Sequence, residues 1–139
     1  YSLATCYKAL GDSENAEKYD LLALSTNGSP TIHSYFQCLA LSRLGKNEEC
    51  ADRANDLRRI GNDKIRNAAV NDYYGVGAPA YSPFSYDIVK AHTLAGCQLL
   101  GFASLLGGDE EETDRIISKL EAIDVSDFAT ALLKEMANS

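Results

Sequence analysis

The stretch LATCYKALGDSENAEKYDLLAL, residues 3–24, decides the fold. Leu3, Ala4, Tyr7 and Leu10 fall at i, i+1, i+4 and i+7, which is one face of an α-helix. Gly11 can adopt the left-handed backbone that stops a helix. Asp12 or Ser13 can then cap a second helix by accepting a backbone N–H, with Glu14 near its positive end. In that second helix Ala16, Tyr19, Ala23 and Leu24 share one side, while Glu14, Glu17 and Lys18 face out. The stretch predicts two short helices folded back on each other at Gly11-Asp12.

The remainder largely repeats or adapts that unit. Asn27-Gly28-Ser29-Pro30 breaks the second helix; its match to a glycosylation sequon is read as a plain turn. Pro30 and Thr31 open a third helix bearing Ile32, Tyr35, Phe36, Leu39, Leu41 and Leu44. Gly45-Lys46 stops it and Asn47 caps a fourth, with Cys50, Ala51, Ala54, Leu57 and Ile60 inward and Gly61 closing it. A helix fits 64–74, an irregular connection 75–83, and a further helix runs from Tyr86 or Asp87 to Leu106. Gly107-Gly108 ends that helix, and Asp109 to Glu112 place four carboxylates at the next helix start. Ser126 is read as the cap of a last helix with Phe128, Leu132, Leu133 and Met136 on its inner side.

Gly11 and Gly45 lie 34 residues apart, each followed five positions later by a small residue, Ala16 and Cys50. A helix–turn–helix unit of that period resembles the tetratricopeptide repeat. FQCLALSRLGKNEECADRANDLRRI and LLGFASLLGGDEEETDRIISKLEAID resemble it too, the latter with Thr113 at the small position; the matches cover roughly two thirds of the chain. Gly108 follows Gly45 by 63 residues, so the unit between is remodelled. The expected fold is all-α: one tetratricopeptide-like stack of antiparallel helix pairs over 1–139. Its repeats are 1–29 and 30–61, then an irregular unit 62–90, a third repeat 91–124 and a capping helix 125–139. A second resemblance, carried by Tyr73, Tyr74, Pro79, Phe84, Asp87 and His92, is to the C-terminal region of large bacterial proteins with an N-terminal β-rich domain. It implies an accessory module of a larger carbohydrate-related enzyme whose active site lies elsewhere.

Composition narrows the function. Apolar residues are 45% and charged residues 24%, an ordinary globular balance. A net charge of −7 disfavours nucleic acid and anionic membrane surfaces as partners. The most apolar run, 91–106, is too short to span a bilayer. The start at Tyr1, without Met or leader, reads as a piece excised from a longer protein. Cys6, Cys38, Cys50 and Cys97 form no zinc spacing and are expected as buried free thiols, which fits a reducing, cytoplasmic setting. Cys38 and Cys50 occupy the facing small positions of the second unit.

No residue set carries catalytic, cofactor or metal chemistry, so a non-enzyme is expected. His33 and His92 each precede a cysteine by five residues, about 140° around a helix, and share no face with it. Gly75-Val76-Gly77 lacks the strand, third glycine and lysine of a nucleotide loop. The resemblance implies instead a scaffold for a protein or peptide partner, or for self-association, bound on the first helices of each pair. Thr5, Lys8, Ile32, Tyr35, Leu39, Ser42, Arg43, Gln98, Phe102 and Leu105 fall there. Tyr35, Arg43 and Phe102 are the anchors expected from it, because exposed aromatic and Arg residues bind well, with Lys8 and Gln98 beside them. The lysine-asparagine set that clamps a C-terminal carboxylate in chaperone-binding members is absent from these helices.

Overall fold

The computed structural model describes residues 1–26, 31–74 and 88–139, and the backbone alone over 69–74 and at 88. The described residues are all-helical, without a strand. They form α1 (Ser2–Ala9), α2 (Ser13–Leu24), α3 (Ile32–Arg43), α4 (Asn47–Tyr74), α5 (Ile88–Gly107), α6 (Glu110–Ile123) and α7 (Phe128–Ala137). The helices expected from periodicity are present. The turn at 27–30 and the irregular connection with Pro79, Phe84, Tyr86 and Asp87 lie outside the described residues. The chain gathers into two compact units, Tyr1–Leu57 and Arg58–Ser139.

Three turns share one geometry. Gly11, Gly45 and Gly108 have φ of +77°, +76° and +71°. Each glycine N–H donates to the carbonyl three residues back, at Lys8, Ser42 and Leu105. The following N–H reaches five residues back, to Tyr7, Leu41 and Ser104. This double closure satisfies carbonyls that a helix end leaves free, and its left-handed residue is unfavourable for any side chain with a Cβ. Asp12 and Asp109 then cap the next helix by accepting from the amides of Asn15 and Glu112. The Asn15 side chain and amide hold the Asp12 carboxyl below its ordinary range. At α7 the cap is Asp127, which accepts from the Thr130 amide, and not Ser126, whose hydroxyl donates to Asp124 Oδ1 at 2.8 Å.

In the N-terminal unit α1 packs on α2 and α2 on α3. Ala4, Ala16, Tyr35, Cys38, Ala40, Leu41 and Leu57 are its buried apolar residues. The Tyr7 and Tyr19 rings stack with centroids 5.3 Å apart. Gln37 is buried and donates to the carbonyls of Ala23 and Thr26 at 3.0 and 2.9 Å, and it accepts from Arg53, joining α2, α3 and α4. The stripe expected on α1 is only partly inward: Ala4 is buried, but Leu3 and Leu10 are exposed. An eight-residue helix packed on α2 covers only a narrow arc of its own surface.

In the C-terminal unit α5 packs against α6 and α7, and α6 against α7, around Cys97, Leu99, Phe102, Ala103, Ile117, Leu120 and Leu133. Here the reading of Gly61 is corrected. Gly61 does not close a helix; α4 runs through it to Tyr74. A Cβ on Gly61 would sit 2.9 Å from the Gly96 carbonyl oxygen, and one on Gly96 would sit 2.8 Å from the Gly61 oxygen. The two glycines let α4 and α5 cross with their backbones nearly touching. Phe128, expected inward, stands at the first position of α7 and is exposed. Ala51 is exposed as well.

Because that crossing is backbone against backbone, Gly96→Ala is expected to destabilise the protein by about 1–3 kcal/mol in urea unfolding. Gly107→Ala, where an added methyl meets nothing within 4 Å, is expected to be neutral or stabilising by up to about 1 kcal/mol. Equal effects at the two positions would mean that α4 and α5 are not so close.

Candidate functional site

Asp20 lies one turn after Ala16 on the inward side of α2. An aspartate is almost never fully buried without a partner, yet Asp20 is only 1% exposed. Its Oδ2 lies 3.4 Å from Arg43 Nε, in the last turn of α3. Arg43 Nη2 donates to Thr5 Oγ1 of α1 at 3.1 Å. The same guanidinium sits 4.6 Å from the Tyr1 ring centroid, within cation–π range. One cation therefore ties together Tyr1, α1, α2 and α3.

Two atoms of this pair remain unmatched. Asp20 Oδ1 and Arg43 Nη1 are the only buried side-chain nitrogen or oxygen atoms among the described residues with no hydrogen-bond partner. Both residues line an open cleft of about 340 Å³ with Lys8, Ser13, Ala16, Glu17 and Leu44. Lys8 and Arg43 balance Glu17 and Asp20, so the formal charge of the lining is zero. The cleft thus offers a buried acceptor and a buried donor without a net field of either sign. A second cleft, about 490 Å³, is lined by Tyr1, Ser2, Ala23, Thr26, His33, Phe36 and Gln37. Its Gln37 amide is already committed on both atoms.

Of the five residues expected to bind a partner, the structure brings Lys8 and Arg43 together. Tyr35 and Phe102 are corrected: they are 3% and 0% exposed, so they are core side chains and not projecting anchors. Tyr35 packs edge-on against Phe36 with centroids 5.4 Å apart, and burial pushes its hydroxyl up to about 12. Gln98 braces α7, donating to Asp127 Oδ1 at 2.5 Å while that oxygen also accepts from the Thr130 amide at 2.9 Å. Among the wider set, Thr5 serves Arg43, Ser42 is exposed, and Ile32, Leu39 and Leu105 are half-buried. Asp20 was missed. Its signal was an acid on the Ala16–Tyr19–Ala23 side of α2, which calls for a buried cation.

All four cysteines are free; Cys38 and Cys97 are buried, Cys50 is half-buried, and Cys6, expected inside, is exposed. Cys38 Sγ lies 3.7 Å from the Cys50 carbonyl oxygen. Burial, with Cys50 beside it, pushes the Cys38 thiol up to about 12, and burial also raises Cys97. Of the four carboxylates at the α6 start, Glu112 is half-buried: it accepts from Ser104 Oγ at 3.0 Å and lies 3.5 Å from Arg58. Among the described residues no three His, Cys, Asp or Glu converge as metal ligands would, and no helix is long and apolar enough to cross a membrane. In comparisons with known proteins, no family model, no curated protein and no solved structure matches the chain.

Removing one member of a buried ion pair strands the other, so Asp20→Ala is expected to lower stability by about 3–5 kcal/mol in chemical denaturation. Replacing both members, as Asp20→Leu with Arg43→Met, should restore much of that loss. If the single change is as mild as the double, the pair does not hold α2 to α3. For the thiols, iodoacetamide at neutral pH is expected to label Cys6 first. Cys38 and Cys97 should react only on unfolding, since the thiolate is the nucleophile. Mass spectrometry of the labelled chain reads the order directly.

Proposed function

We propose that the chain is a non-catalytic, tetratricopeptide-like scaffold whose N-terminal unit takes a peptide segment of a protein partner into the Lys8–Arg43 cleft. The observation that carries this reading is the pair of unmatched buried atoms, Asp20 Oδ1 and Arg43 Nη1, lining an open cleft. A buried polar group without a partner costs about 1–3 kcal/mol, more when charged. A ligand that supplies both partners relieves that cost on binding. Lys8 and Arg43 stand on α1 and α3, the first helices of successive hairpins, which is where the repeat resemblance puts a partner. The repeated glycine turns, 34 residues apart at Gly11 and Gly45, support the same reading. The acidic composition favours a polypeptide over nucleic acid or a membrane surface, and the reduced thiols fit a cytoplasmic setting.

The test is a random peptide library panned on the intact chain, with enriched sequences measured by fluorescence anisotropy. Lys8→Glu and Glu17→Lys reverse exposed charges on the cleft rim and should leave the fold intact. Each is expected to change affinity about two- to fivefold, the scale of an exposed charge contact. Lys18→Glu, outside the cleft lining, serves as the control. Enriched peptides that ignore both rim reversals would place binding elsewhere and remove this reading.

A further inference from the structure

We propose that the floor of this cleft is a subsite for a primary carboxamide, the side chain of an asparagine or glutamine in the bound segment. The inference rests on the peptide-binding reading above and names what the buried pair recognises. The carboxamide N–H would donate to Asp20 Oδ1, and its carbonyl would accept from Arg43 Nη1.

The argument runs by elimination from the two unmatched atoms. Asp20 Oδ1 can only accept, and Arg43 Nη1 can only donate. A carboxylate ligand would satisfy the guanidinium but confront the buried Asp20. An ammonium would satisfy Asp20 but confront Arg43. With the lining charges balanced, neither ion gains from the wider field. The fitting ligand is neutral and carries a donor and an acceptor. A single main-chain amide is trans, so its N–H and C=O point in opposite directions, and it serves one atom at a time. A primary carboxamide has one N–H on the same side as its oxygen and presents both from one edge. The volume of about 340 Å³ suits such a side chain with its flanking backbone, being at the small end of ligand clefts. The floor is also held in place before binding. Nε is fixed by Asp20 Oδ2, Nη2 by Thr5 Oγ1, and the guanidinium face by the Tyr1 ring.

The test uses three capped tripeptides, acetyl-Ala-Asn-Ala, acetyl-Ala-Asp-Ala and acetyl-Ala-Leu-Ala, each closed as a methylamide so that no other primary carboxamide is present. Each is titrated into the intact 15N-labelled chain by NMR, following the Arg43 Nε–H and the backbone amides of Asp20 and Arg43. Saturable shifts at Arg43 are expected with the asparagine peptide, and at least about tenfold weaker binding with the other two. Asp20→Asn adds a reversal: it puts a donor at the Oδ1 position, so preference should move from the asparagine to the aspartate peptide. If that variant does not fold, the three titrations of the parent chain decide alone. Equal binding of the three peptides overturns the subsite, and so does the absence of shifts at Arg43, the result expected if water alone fills the gap. Panned peptides that respond to Lys8→Glu yet carry neither Asn nor Gln would sink the subsite while leaving the peptide cleft standing. Shifts at Arg43 with the asparagine peptide, alongside panned peptides indifferent to Lys8, would keep the subsite and remove the scaffold reading.

Discussion

A helix that must reverse within two residues needs one residue whose backbone goes left-handed, and this constraint underlies the rest of the structure. Gly11, Gly45 and Gly108 meet it with the same pair of hydrogen bonds. Each reversal returns the next helix along its predecessor, so that α1 meets α2 and α5 meets α6. Only then do the small residues matter: Ala16 and Thr113 are buried five positions after their glycines. The order of causes is turn first, close approach second and core last. A different residue at the turn would misplace a whole helix, whereas a different core residue would alter only its packing.

The same amino acid does an opposite job at Gly61. There it sits inside a helix and brings two backbones together, with Gly96 as its counterpart. A single sequence shows both uses as one letter, and Gly61 was read as a stop because it follows a helical pattern of ordinary length. What separates them is the far partner, 35 residues away, which no local pattern displays. The turns at Gly11, Gly45 and Gly108 were legible because their entire cause is local: a hydrophobic stripe, a glycine and a capping acid within a few residues. Asp127 displaced Ser126 as a cap for a similarly fine reason. Both can accept an N–H, and only backbone direction chooses between them.

The site was legible in part on the same principle. Lys8 and Arg43 were placed by position in the repeat, and position along a helix is what periodicity reports. Tyr35 and Phe102 were misjudged because periodicity gives the face of a helix but not what covers that face. An aromatic on the first helix of a pair looks alike whether it meets solvent or a neighbouring helix. Asp20 carried the opposite kind of information. A charge on an apolar stripe is a local contradiction, and such contradictions mark either a buried pair or a functional position. Taken together with Arg43, the most hydrophilic residue near the end of α3, it identifies the cleft more directly than any aromatic does.

The Asp20–Arg43 pair also sets how the N-terminal unit can be stable and receptive at once. A buried ion pair is a poor source of stability when apolar side chains of similar size would pack as well. It is poorer still when one oxygen and one nitrogen go unmatched, as here. The Arg43 contacts to Thr5 and Tyr1 make up part of the difference by recruiting α1 to the same cation. They also deny the guanidinium the rotations by which Nη1 could seek water on its own. Rigidity that leaves a polar atom unsatisfied weakens the free protein, but it removes the ordering step that a ligand would otherwise have to drive. The stability forgone in the unit and the selectivity available in its cleft therefore arise from the same two atoms.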